Sequence, residues 1–98
     1  MEAEKLISPE SLRRDVGFLC DSLCQGRGAS QTGLTEASLW LGRQFREAGL
    51  LPFDGSWCQS FTAGSHICRN VAGMIPSSTG RGRYVIVMAH YDNLGTLD

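Results

Sequence analysis

Six consecutive apolar residues, Tyr84-Val85-Ile86-Val87-Met88-Ala89, run without a polar interruption into His90-Tyr91-Asp92. No other stretch constrains the fold of this chain so tightly. The run lacks the alternation of a half-buried strand, so it reads as a strand covered on both faces. Such a strand needs neighbours in a sheet and helices above and below it. The remaining sequence supplies few of either.

Ser8-Pro9-Glu10 has the signature of a helix start: a hydroxyl cap, proline at the first helical position and an acid at the positive end of the dipole. Leu12, Val16, Leu19 and Leu23 then recur at steps of four, three and four, which predicts a helix over Pro9 to Leu23 with these four residues buried. Arg13, Arg14, Asp15 and Asp21 occupy its other side. Gln25 to Gly33 has no apolar period and reads as a loop in which Gly26, Gly28 and Gly33 supply positive φ. It lacks the preceding strand that a phosphate-cradling glycine loop requires. A second helix is predicted over Leu34 to Ala48, with Ala37, Leu41, Phe45 and Ala48 as its buried stripe and Leu34 or Trp40 at the edge. Gly49 stands where a left-handed cap is wanted, and Pro52 forbids continuation.

The period then changes from 3.6 to 2. Trp57, Gln59 and Phe61 alternate with Cys58 and Ser60, predicting a half-buried strand. Ala63-Gly64-Ser65-His66 is a turn, Ile67 to Ile75 a second strand ended by Pro76, and SSTGRGR a polar connection to the apolar run. The order is ααβββ, an α/β chain of two amino-terminal helices followed by three strands. The first two strands read as an antiparallel pair at a sheet edge, and the third as the middle of a larger sheet. Residues 1–98 are therefore expected to be one incomplete domain, or a chain that borrows its missing neighbours from a partner.

Composition narrows the function classes. Nine basic and ten acidic residues give a net charge of −1 with no basic stripe, so nucleic acid is not an expected partner. The apolar run is too short to span a bilayer, so no membrane is expected. The start, MEAEKLISPE, carries no secretory signal, which suits a cytoplasmic protein or one whose export signal has been trimmed away. Cys20, Cys24, Cys58 and Cys68 show none of the short Cys-x-x-Cys spacings of structural zinc, and free thiols are the expectation, with Cys20 and Cys24 one turn apart facing the core. A disulfide or a metal role is the alternative.

His90 sits at the carboxyl end of the predicted central strand, where α/β sheets gather ligands and catalytic groups. Asp92, two residues on, could orient an imidazole that binds metal through its other nitrogen. Taken alone, the pair reads more readily as an ordinary strand-end histidine than as a metal ligand and its orienter. His66, in the turn, reads as a solvated residue.

Gly26-Arg27 with Gly33, then Gly49-Leu50-Leu51-Pro52, WCQSF, Asn70-Val71-Ala72-Gly73 and Ala89-His90-Tyr91-Asp92 stand in an order that resembles the amino-terminal portion of the co-catalytic zinc aminopeptidases. That family includes bacterial leucyl aminopeptidases and is related to glutaminyl cyclases. The resemblance spans about residues 10 to 95. It implies a mixed-sheet, three-layer αβα zinc-peptidase fold and an exopeptidase that hydrolyses amino-terminal peptide bonds with two zinc ions. It makes His90 a ligand of the first zinc and Asp92 the carboxylate that orients its ring. The other ligands and the general base would follow Asp98. The chain as given is accordingly expected to bind zinc weakly or not at all and to be inactive, its peptide substrate belonging to a longer form. Members of the family are often secreted. A glutaminyl cyclase-like segment is a second reading of the same motifs. A non-catalytic remnant or self-associating domain, forming a homo-oligomer through its exposed strand, is the rival from another class.

Overall fold

In the computed structural model, residues 6–29 and 32–96 are described. The acidic start over residues 1–5, and Ser30 and Gln31 of the glycine-rich loop, lie outside them. Helix α1 (Pro9–Leu19) begins as its sequence predicts: the Ser8 hydroxyl accepts the N–H of Ser11 at 3.1 Å, and Pro9 opens the first turn. It ends four residues before Leu23. The Asp21 carboxylate accepts the N–H of Leu23 at 2.9 Å and starts a separate 3-10 turn, Ser22–Arg27. A local side-chain acceptor thus wins over the next helical bond. Cys20 and Cys24 are parted by this break. Cys24 is fully buried and Cys20 exposed.

Early termination also removes the cover expected for α1. Leu12, Val16 and Leu23 are all more than half exposed, and no residue of α1 is buried. The helix is held by its carboxyl end, where Phe18 stacks on Trp40 with ring centroids 4.6 Å apart.

Helix α2 (Thr32–Glu47) carries the buried centre of the molecule, but one turn earlier than predicted. Gly33, Leu34, Ala37 and Ser38 are buried; Leu41 and Phe45 are half-buried and Ala48 is exposed. The shift follows from what the first half of α2 packs against: Gly33 meets the backbone of Cys24 in the 3-10 turn, and the Thr35 hydroxyl accepts from Arg69 of the hairpin. Its end matches expectation. Gly49 has φ 86°, its N–H donates to Arg46 O at 3.0 Å, and Leu50 N–H donates to Phe45 O at 3.0 Å. This paired pattern satisfies two carbonyls of the last turn. A Cβ at Gly49 would meet nothing, so the cost of Gly49→Ala is the left-handed backbone alone. We expect a loss of about 1 kcal/mol in urea unfolding.

Strands β1 (Cys58–Ala63) and β2 (His66–Val71) form an antiparallel hairpin, with Ala63 opposite His66 and Cys58 opposite Val71. Cys68 lies across from Phe61, so the two hairpin cysteines do not face one another, and all four thiols are free. Trp57 fastens the hairpin to the end of α2 by donating from its indole to Leu50 O at 3.0 Å. A reciprocal pair of 2.9 Å bonds between Leu51 and Met74 continues the link beyond the strands.

Among the described residues the architecture is mixed α/β: two α-helices, a 3-10 turn and a two-stranded antiparallel sheet. The third predicted strand is not formed among the described residues. Residues 84–90 run irregularly, without a backbone partner, and Tyr84 to Met88 are 79–95% exposed. A strand is stabilised by its ladder, and the hairpin strands pair with each other only. The consequence is visible in the whole surface. The chain exposes 8055 Å², where a folded monomer of this mass exposes roughly 5,500 Å². Its radius of gyration is 15.4 Å, against about 12.6 Å for a closed domain of this length.

Candidate functional site

The apolar segment becomes anchored just where it reaches the predicted site. Tyr91 turns back onto the molecule, its hydroxyl donating to Arg69 O at 2.5 Å, and Asn93 N–H donates to Arg27 O at 2.8 Å. Gly95 N–H donates to Gly26 O at 3.0 Å. From the side of the glycine-rich loop, the Arg27 guanidinium donates to Tyr91 O at 2.7 Å and also to Leu19 O at the end of α1. Residues 91–95 are thus held against Gly26-Arg27, while 84–90 are not.

His90 stands at the boundary. Its Nδ1 lies 3.0 Å from the main-chain oxygen of Asp92 and 3.2 Å from Asp92 Oδ1. Both are acceptors, so in the neutral ring Nδ1 carries the proton and Nε2 keeps its lone pair. The imidazole is 85% exposed, so Nε2 is open to solvent. A carboxylate on one ring nitrogen with the other left free is the orientation used by metal-binding histidines. His90 and Asp92 are therefore brought together. His66 is not part of this group; it is exposed at the start of β2.

Zinc requires at least three protein ligands, and among the described residues no three His, Cys, Asp or Glu side chains form a cluster that could hold a metal ion. What is present suits one ligand and its orienter, and does not make a complete metal site. Cys24 adds nothing to it. Burial pushes its thiol pKa up, and its Sγ donates to Phe18 O at 3.4 Å inside the core.

Tyr91 also points into an open cavity of about 300 Å³ between the first half of α2 and the hairpin, where Arg69 donates to the Thr35 hydroxyl at 3.2 Å. Burial raises the phenol pKa above its ordinary value, with a smaller contribution from the nearby Cys58 thiol.

Sequence reasoning missed three residues that build this region: Gln25, Arg27 and Tyr91. Gln25 Oε1 accepts the Gly33 N–H at 2.7 Å and the Thr32 hydroxyl at 3.0 Å, closing the start of α2. Gln25 and Arg27 both hold positive φ, at 51° and 55°, on either side of Gly26 at 65°. Gly28, expected to be left-handed, has φ −75°. The only available signal was a lone arginine inside a glycine-rich loop.

Comparison of the chain with protein-family models, with curated proteins and with solved structures returned no match. No helix among the described residues is long and apolar enough to cross a membrane.

Proposed function

We propose that the chain is the opening segment of a zinc-dependent aminopeptidase-like domain, contributing one zinc ligand, His90, and the carboxylate that orients it, Asp92. The observation that carries this reading is the His90–Asp92 contact, which occupies Nδ1 and leaves the other side of an exposed ring open at the end of the apolar segment. Zinc, when bound by a full ligand set, would supply an activated water for amide hydrolysis. The present residues would only hold and orient one imidazole. The resemblance in the Gly-Arg, Gly-Leu-Leu-Pro, Asn-Val-Ala-Gly and Ala-His-Tyr-Asp words supports the peptidase over a generic αβ segment, and the glutaminyl cyclase reading shares that support.

Zinc titration followed through the ring ¹⁵N resonances of both histidines tests the proposal. Weak binding that moves His90 Nε2 ahead of both nitrogens of His66 is the expected result. A His90 ring that stays silent, or one that responds no sooner than His66, would reject the ligand role. Aminoacyl-amide hydrolysis should remain at background with added zinc.

The bare segment Tyr84–Met88 favours a second reading, a self-associating domain. Unpaired apolar backbone is an invitation to strand addition, and Tyr84 to Met88 stand 79–95% exposed. In this reading the chain sediments at twice its 10.7 kDa, and Val87→Asp returns it to one copy. A wild-type chain that is monomeric at high micromolar concentration excludes it.

A further inference from the structure

We propose that Arg27 is the positioning residue of the His90–Asp92 pair, a role resting on the ligand reading above and extending it to a residue far away in sequence. Asp92 lies between two peptide units, and both are tied to this one arginine. On its amino side the Tyr91 carbonyl accepts from Arg27 Nε at 2.7 Å; on its carboxyl side Asn93 N–H donates to the Arg27 carbonyl at 2.8 Å. The side chain and the main chain of Arg27 therefore grip Asp92 from both ends. Another of its donors, on Nη1, reaches Leu19 O, so the grip is also tied to the end of α1.

Close approach reinforces the arrangement. A Cβ on Gly26 would lie 2.5 Å from Gly95 O, so the loop touches the 91–95 segment backbone to backbone. Arg27 itself holds φ 55°, an uncommon conformation for a residue with a Cβ, and it is this turn that directs its carbonyl at Asn93. His90 has no comparable anchor. Its ring is exposed, and among the described residues its partners are the two oxygens of Asp92. Whatever fixes Asp92 thereby fixes which imidazole nitrogen carries the proton and where Nε2 points.

A free imidazole side chain prefers the proton on Nε2, the tautomer that cannot bind metal through that atom. The Asp92 bonds favour the other tautomer by about two- to tenfold, the net worth of such a bond in water. The experiment is ring ¹⁵N NMR of the 98-residue chain at alkaline pH, with amide exchange measured on the same samples. In Arg27→Ala the His90 tautomer ratio is expected to revert to that of a free histidine. Asn93 amide protection should fall about tenfold, while the hairpin amides stay protected. Arg27→Lys, with one donor head for two carbonyls, should not restore the ratio. An unchanged ratio in Arg27→Ala overturns the proposal, even if protection falls, because the arginine would then serve packing only.

Should Arg27→Ala fail to fold, Gly26→Ala keeps the guanidinium and displaces Gly95. It must shift the same ratio for the proposal to survive. The two readings part cleanly. A ratio that shifts in a chain whose His90 ignores zinc leaves the grip standing without the ligand. A His90 that responds to zinc with a ratio indifferent to Arg27 leaves the ligand without the grip.

Discussion

Gly33→Ala is expected to destabilise the chain by about 3 kcal/mol or more, a large share of the stability of a small domain. A Cβ at this position would lie 2.2 Å from both the carbonyl carbon and oxygen of Cys24. Those atoms belong to backbone, which cannot rotate out of the way as a side chain can. The Gly33 amide is tied to Gln25 Oε1 at 2.7 Å, and the Cys24 thiol is buried against Phe18 O, so neither side of the contact is free to retreat. Relief requires separating α2 from the 3-10 turn, which is where Cys24, Leu34 and Ala37 form the core. Overpacking in a filled interior ordinarily costs about 1–3 kcal/mol, and a backbone clash belongs at the upper end. Gly42→Ala is the matched control. It lies in the same helix, its nearest new contact is Cys58 Sγ at 3.8 Å, and it should gain up to about 1 kcal/mol from helix propensity. Urea unfolding of both variants decides the matter. Equal midpoints for Gly33→Ala and the parent chain would show that the two backbones do not meet.

The second large effect concerns the proposed zinc ligand. In a longer form of the protein that supplies the remaining ligands, His90→Ala should abolish most peptidase activity, and Asp92→Ala should cost about 10–100-fold in activity or metal affinity. The ordering follows from geometry. His90 offers the only free ring nitrogen of the pair, whereas Asp92 acts through two bonds to Nδ1, at 3.0 Å and 3.2 Å. Neither change should move the melting temperature appreciably, because both side chains are largely exposed and contribute nothing to the core. Steady-state hydrolysis of an aminoacyl amide, paired with thermal unfolding, separates the two. Full activity of His90→Ala removes the ligand role; a parallel loss of folding would assign the residue a structural one.

These effects fall unevenly across what could be read from the sequence. The Ser8-Pro9 start, the Gly49 stop of α2 and the hairpin turn at Gly64-Ser65 were all legible, because each depends on residues within a few positions of one another. The juxtaposition of His90 and Asp92 was legible for the same reason. The buried centre was not. Leu12, Val16 and Leu23 have the period of a covered face, yet no element lies over them. Periodicity reports which face prefers burial and says nothing about whether a neighbour arrives. The Tyr84–Ala89 run makes the same point more strongly, since its composition asks for cover on two faces and its residues stand almost fully in solvent.

Gly33 shows the converse error. Its glycine reads as a source of positive φ, but what excludes a side chain there is the carbonyl of Cys24, nine residues earlier. Arg27 was unreadable as a positioning group because its partners, Leu19, Tyr91 and Asn93, are scattered over more than seventy residues.

By itself, then, the sequence determined the start of α1, the stop of α2, the hairpin and the His-x-Asp pair, all products of torsional preference and short-range hydrogen bonding. Only the tertiary structure decided that α2 buries its first half, that Cys24 enters the core while Cys20 stays outside, and that Arg27 holds the two peptide units around Asp92. Those outcomes depend on which distant segments meet, and side-chain periodicity carries no record of that choice.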